Sequence, residues 1–134
     1  MNKHYQLYSL FLFVTFIAIS LQGCIIVNDD IINPNLIYGQ WEMTSYTNSG
    51  DNVQVTKAYI LFRKDNTMEI SYESPEVIDE IYAFRIVDDK LYFSKESSTL
   101  DHDYFTILKL TKTELVLRAD LDYETWSKCT FTKI

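Results

Sequence analysis

Hydrophobic and polar positions alternate from Leu36 to the end of the chain with the period of two that is typical of β-strands. The same stretches are rich in β-branched and aromatic residues, and turn-forming residues lie between them. The pattern predicts eight strands, which are Leu36–Tyr46, Thr56–Lys64, Thr67–Glu73, Ile78–Val87, Lys90–Lys95, Tyr104–Thr111, Glu114–Ala119 and Glu124–Thr132. Short connections at Asp65-Asn66, Asp88-Asp89 and Lys112-Thr113 favour tight hairpins between consecutive strands.

The order of these elements predicts the fold class. No segment between the predicted strands carries a convincing helical stripe, which disfavours parallel strands joined by helices. Consecutive hairpins place neighbouring strands side by side in antiparallel orientation. Such a sheet loses its exposed edges when its last strand pairs with its first. We therefore predict an all-β fold, an eight-stranded antiparallel up-and-down barrel.

Strand alternation also predicts which side chains face the interior of the barrel. The predicted interior is almost free of polar groups and rich in large rings. Its candidate ligand-binding residues are Trp41, Phe62, Met68, Ile70, Tyr82, Phe84, Phe93, Leu117 and Phe131. Cys129 faces the same side and is expected to be a small core residue. In the sixth strand the pairs Phe105/Ile107 and Leu108/Leu110 compete for the interior, and a β-bulge would reconcile them.

The N-terminal segment has the organisation of a secretory signal. Lys3 and His4 precede an apolar run, Leu7–Leu21, which is short for a bilayer span of about 20 residues. The run ends in Leu21-Gln22-Gly23-Cys24. An uncleaved anchor helix that continues through Val27 is the alternative interpretation, because residues 24–27 are also apolar.

The tetrapeptide ending in Cys24 resembles the lipobox of bacterial lipoproteins. The resemblance implies cleavage before Cys24, a diacylglycerol on its sulfur and a fatty acid such as palmitate on its amino group. Two or more acyl chains hold a protein stably on a membrane. The organisation expected is a signal peptide over residues 1–23, a lipidated tether over 24–35 and a barrel domain over 36–134. Ile25 after the cysteine implies the outer membrane as the destination.

Composition excludes several classes of function. The 134 residues include 12 Lys and Arg against 19 Asp and Glu, a net charge of −7 that is the wrong sign for a nucleic-acid binder. Two cysteines, of which Cys24 is assigned to lipid, leave no disulfide framework. His102 is the sole histidine after signal cleavage, so the sequence offers no metal-ligand spacing. We expect no cofactor, no metal and no enzymatic activity.

Gly39-Gln40-Trp41 at the start of the first strand resembles the G-x-W signature of lipocalins. Together with the lipobox and the eight-strand meander, it is similar to the short lipocalin-like domains carried by Gram-negative lipoproteins. The resemblance implies that Trp41 packs across the closed end of the barrel. It also implies an Arg near this Trp and an Asp-Tyr loop, for which Arg118 and Asp103-Tyr104 are the candidates.

The ring-rich interior fits two functions. In the first, a lipid-anchored envelope protein binds a small apolar molecule in its barrel. In the second, the interior is filled at ordinary protein density, and the barrel is an interaction module that contacts an envelope partner protein. A connected cavity open at one end favours the first function, and a solid core with an exposed aromatic patch favours the second.

Overall fold

The computed structural model describes residues 31–53, 57–122 and 124–134, so the signal segment and Cys24 lie outside the described residues. This part of the chain contains nine strands: β1 (Gly39–Asn48), β2 (Asp51–Val53), β3 (Ala58–Phe62), β4 (Thr67–Tyr72), β5 (Glu80–Val87), β6 (Lys90–Ser94), β7 (Tyr104–Leu110), β8 (Glu114–Asp120) and β9 (Trp126–Lys133). Each strand from β3 to β8 pairs with the next, β1 pairs with β3, and β9 pairs back to β1. These eight strands form a closed antiparallel barrel, and the predicted fold class is confirmed.

The ninth strand, β2, lies in a segment that the sequence pattern assigned to a loop. It pairs with the last three residues of β1, from Tyr46↔Val53 to Asn48↔Asp51. Ser49 and Gly50 both have positive φ values, 47° and 93°, which is the backbone of a two-residue type I′ hairpin turn. The C-terminal residues of β1 therefore pair with β2, whereas its N-terminal residues, 39–42, pair with β3.

Two β-bulges adjust the register of the barrel. In β7 the pairing with β8 shifts between Ile107 and Lys109, which leaves Leu108 as the extra residue. Ile107 and Leu110 are consequently both buried, while Leu108 is 49% exposed. The predicted bulge is confirmed, and the expectation that Leu108 also faces inward is wrong. A second bulge in β1, between Met43 and Ser45, was not predicted.

One end of the barrel is closed by the segment that precedes β1. The sequence pattern began the first strand at Leu36, but Pro34–Ile37 forms a short 3-10 helix instead. Asn33 caps this helix through its side chain, and proline is favoured at a first helical position because it has no N–H to satisfy. Ile37 is fully buried, so the helix seals this end of the barrel.

The tight hairpins at 63–66, 88–89 and 111–113 lie at this closed end, and the longer connections at 73–79, 95–103 and 121–125 lie at the opposite, open end. Residues 31–134 form one compact unit. Every strand pairing and core residue that the structure describes lies within this unit, so the unit has its own closed barrel and its own hydrophobic core. Within the described ranges, no helix is long and apolar enough to cross a membrane.

Candidate functional site

Trp41 forms the floor of the barrel at the closed end. Its side chain has no exposed surface, and its indole Nε1–H donates a hydrogen bond to the Ile37 carbonyl at 2.7 Å. This bond joins β1 to the 3-10 helix and satisfies a carbonyl that would otherwise be buried without a partner. The position matches what the Gly39-Gln40-Trp41 motif implies.

The cation beside Trp41 is a lysine and not the expected arginine. Lys133 Nζ lies 5.0 Å from the centre of the Trp41 ring and donates a hydrogen bond to the Leu36 carbonyl at 3.2 Å. Arg118 instead lies near the open end on the outer surface, where its guanidinium stacks on Trp126 and pairs with Asp120 at 2.8 Å. The expectation for Arg118 is therefore wrong, because Arg118 is on the outer surface and lies nearer to the open end than Trp41 does.

The predicted interior residues divide into two groups. Six of the nine candidates are almost fully buried among other core side chains, and they form a solid floor: Trp41, Phe62, Met68, Phe84, Leu117 and Phe131. The other three, Ile70, Tyr82 and Phe93, also point inward but are only half-buried. Their partial exposure places these three side chains where the lumen meets the solvent.

We call this open part of the lumen the cup, and its half-buried lining is Met43, Ile70, Tyr82, Phe93, Phe105 and Cys129. Three rings cross the cup on consecutive strands. Phe93 stacks on Phe105 with centroids 4.7 Å apart and planes 14° apart, and Tyr82 meets Phe93 edge-on at 5.7 Å. Such ring pairs are worth about 0.5–1.5 kcal/mol beyond the area they bury, so the three rings form one continuous aromatic wall.

The mouth of the cup carries one inward carboxylate. Glu80 pairs with Ile70 in the register of β4 and β5, and alternation from Tyr82 places it on the inner side. The Tyr72 hydroxyl donates a hydrogen bond to Glu80 Oε2 at 3.1 Å. Burial and the bond to Glu80 raise the pKa of Tyr72, and the same two causes raise the pKa of Tyr82. Both hydroxyls therefore stay protonated near neutral pH.

Cys129 is the one potentially reactive group in the lining. It faces inward on β9 opposite Leu117 and Tyr46, and it is half-buried. Burial raises the pKa of its thiol, because desolvation disfavours the thiolate. The thiol form dominates near neutral pH, so Cys129 acts as a small apolar part of the cup wall.

A second concavity lies in the barrel wall near the closed end, beside the buried Ile37 and Phe84. The pairing of β4 with β5 stops at Thr67↔Ala83, and a groove of about 550 Å³ separates the rest of β5 from the 3-10 helix. Two of its charged side chains are already hydrogen-bonded. Asp65 accepts hydrogen bonds from Thr67, which lower the pKa of Asp65, and Arg85 donates to the Leu100 carbonyl at 2.8 Å. The cup is therefore the better candidate site.

The outer face of β5–β7 carries a row of rings and cations. Tyr92 and Tyr104 are neighbours on β6 and β7, with centroids 5.4 Å apart. Arg85 lies over Tyr92 at 5.3 Å, and Lys90 lies over Tyr104 at 4.9 Å. Tyrosine and arginine are enriched at protein interfaces, so this row, which we call the tyrosine row, is a candidate contact surface.

The polar residues of the open-end loops are on the surface. His102 is exposed and pairs only with its neighbour Asp101 at 3.3 Å. Asp122 accepts hydrogen bonds from Glu124 and Thr125 in the open-end loop, and these bonds lower its pKa. Across residues 31–53, 57–122 and 124–134, no three His, Cys, Asp or Glu side chains are placed to hold a metal ion.

Comparison with known proteins identifies the family. Comparisons with curated proteins and with solved structures give no match. The family model described as a lipocalin-like domain matches residues 37–117, which is more than half of the chain and runs from the 3-10 helix to β8. The matched part includes Trp41 and five of the six residues that line the cup. The chain belongs to the lipocalin-like domain family.

Proposed function

We propose that this protein is a lipid-anchored envelope protein that binds a small apolar molecule in the cup. The observation that carries the proposal is the change along the lumen from a solid floor to half-exposed inward side chains with an aromatic wall. When a guest covers apolar surface that was exposed to water, the complex is stabilised by about 25 cal/mol for each Å² removed from water. A rigid lining lowers the ordering cost of binding.

The unit of residues 31–134 provides a direct test, because Cys129 is its only cysteine. We would titrate N-phenyl-1-naphthylamine, a neutral fluorescent probe, and measure in parallel the rate at which a thiol reagent labels Cys129. At ten times the dissociation constant of the probe, labelling should slow about tenfold, because the probe covers the thiol. No probe binding, or binding that leaves the labelling rate unchanged, would exclude the cup as the site.

The anchor is supported by the Leu21-Gln22-Gly23-Cys24 motif. Cells that express the full chain should incorporate labelled palmitate, and Cys24→Ala should abolish this incorporation. Cys129→Ala is the matched control and should keep the label. Incorporation into the Cys24→Ala variant would refute the anchor. We assign the protein to the outer membrane and propose no catalytic activity.

The tyrosine row favours a second candidate function, contact with an envelope partner protein. Tyr104 is 44% exposed and its ring is fixed by Tyr92 and Lys90, as is typical of an interface anchor. A photo-crosslinking amino acid at Tyr104 should then yield one discrete adduct in intact cells. The same group at Lys112, in a closed-end hairpin, should not. Equal patterns at both positions would remove this candidate.

A further inference from the structure

We infer that the cup prefers a guest that combines an apolar body with a cationic group, such as a long-chain or aromatic amine. The inference rests on the proposed function, since it assigns the chemical class of the guest for the same site. Its basis is the position of Glu80, whose carboxylate lies on the inner side at the mouth above the aromatic wall.

Glu80 is placed to receive a charge from within the barrel. Its Oε2 accepts a hydrogen bond from Tyr72, and the Tyr82 hydroxyl also interacts with this carboxylate. A carboxylate can accept about four hydrogen bonds, so acceptor sites remain for an ammonium group. The side chain is half-exposed, at the boundary between the cup and the solvent. A guest whose apolar part packs against Phe93 and Phe105 would place a terminal amine beside the Glu80 carboxylate. Tyr82, which contacts Phe93, lies between these rings and Glu80.

The ring of Tyr82 already lies under a cation. Lys95 Nζ is 5.7 Å from the centre of this ring, in the geometry of a cation–π contact. The contact indicates that the face of Tyr82 near the mouth accommodates positive charge. Lys95 is exposed and directly follows β6. A guest ammonium would therefore compete with Lys95 for the Tyr82 ring, and the two positive charges would repel each other.

The charge around the open end has the sign that attracts such a guest. Its exposed acidic residues are Asp51, Glu73, Glu76, Asp79, Glu96, Asp101, Asp103, Asp120, Asp122 and Glu124, and the basic residues there are fewer. A mouth lined by one sign of charge raises the local concentration of ligands of the opposite sign. An anionic guest such as a fatty acid would meet both this field and Glu80.

The test compares three guests of equal chain length as competitors of N-phenyl-1-naphthylamine on the 31–134 unit near neutral pH. These are decylamine and decanoate, each below its critical micelle concentration, and decan-1-ol below its solubility limit. Decylamine should displace the probe at about fivefold lower concentration than decanol, and decanoate should be the weakest, as expected for one partly exposed ion pair. Equal displacement by all three would overturn the inference and leave the proposed function standing. Absence of probe binding would overturn both.

Three variants test whether Glu80 causes the preference for decylamine over decanol. Glu80→Gln should bring the ratio of decylamine to decanol affinity to about one. Lys95→Gln should increase the ratio, because the competing ammonium is gone. Asp120→Asn is the matched control: it removes an exposed carboxylate of the same end that points outward beside Arg118, and it should keep the ratio. A ratio that survives Glu80→Gln, or that falls equally in Asp120→Asn, would show that Glu80 is not the recognition group.

Discussion

Replacement of Trp41 tests the closed end of the barrel. The side chain is fully buried, so Trp41→Ala leaves a cavity that costs about 3–5 kcal/mol of unfolding free energy. The same change removes the N–H that satisfies the Ile37 carbonyl, which places the expected value in the upper part of this range. Lys133 also loses the ring on which its ammonium lies.

The assay is urea unfolding of the 31–134 unit, followed by circular dichroism at 25 °C. Trp126→Ala is the matched control, because this second tryptophan is half-buried on the outer surface beside Arg118 and should cost about 1 kcal/mol or less. If the alanine variant does not fold, Trp41→Phe replaces it in the assay. This variant keeps a ring but not the N–H, and it should cost about 1–3 kcal/mol of unfolding free energy. A loss of about 0.5 kcal/mol or less in Trp41→Ala would contradict the burial and the strand register.

Three further perturbations probe the floor and the cup. Gly39→Ala should cost about 1–3 kcal/mol in urea unfolding, because φ is +119° and a Cβ would lie 2.8 Å from Lys133 Cε; an unchanged midpoint would contradict this. Lys133→Met should cost about 0.5–2 kcal/mol by the same assay through the lost cation–π contact and Leu36 bond, and a neutral effect would refute it. Cys129 labelling should accelerate with pH along a curve whose midpoint lies above that of an exposed cysteine, since its folded pKa is raised; a midpoint at or below the exposed value would contradict its burial.

The strand order was predictable because each barrel strand buries one face, which leaves a period of two in the sequence. The conflict between Ile107 and Leu110 was visible for the same reason, and it correctly indicated a bulge. The bulge at Thr44 was not visible, because Ser45 and Tyr46 fit either face of a strand. A three-residue strand such as β2 is too short for a period, although the Ser49-Gly50 pair is a turn signal that could have indicated it.

The division of the interior into floor and cup could not be read from the sequence. Phe84 and Phe93 are the same residue type on the same predicted face and pair directly across β5 and β6. Phe84 is 3% exposed because Phe62 and the segment before β1 cover it, whereas Phe93 faces the open lumen. Burial of each ring depends on distant elements, such as the 3-10 helix, that local alternation does not describe.

Glu80 was missed as a candidate site residue for a different reason. Acidic residues near turns are usually solvated, so a glutamate at the start of a strand gives no sign of a binding role. Its position two residues before the inward Tyr82 is the signal that could have identified it, because alternate residues of a strand share a face. The proximity of Tyr72 on β4 became apparent only from the register.

On this interpretation, the lumen is solid near Trp41 and open to a guest near Phe93. Methyl NMR spectra of the 31–134 unit, with and without decan-1-ol, test it most directly. We predict shifts of the Met43 and Ile70 methyl signals, which lie in the cup, and unchanged signals from Leu115, which is fully buried in the floor. Shifts confined to outward methyls such as Leu108, or no shifts at saturating decanol, would contradict it.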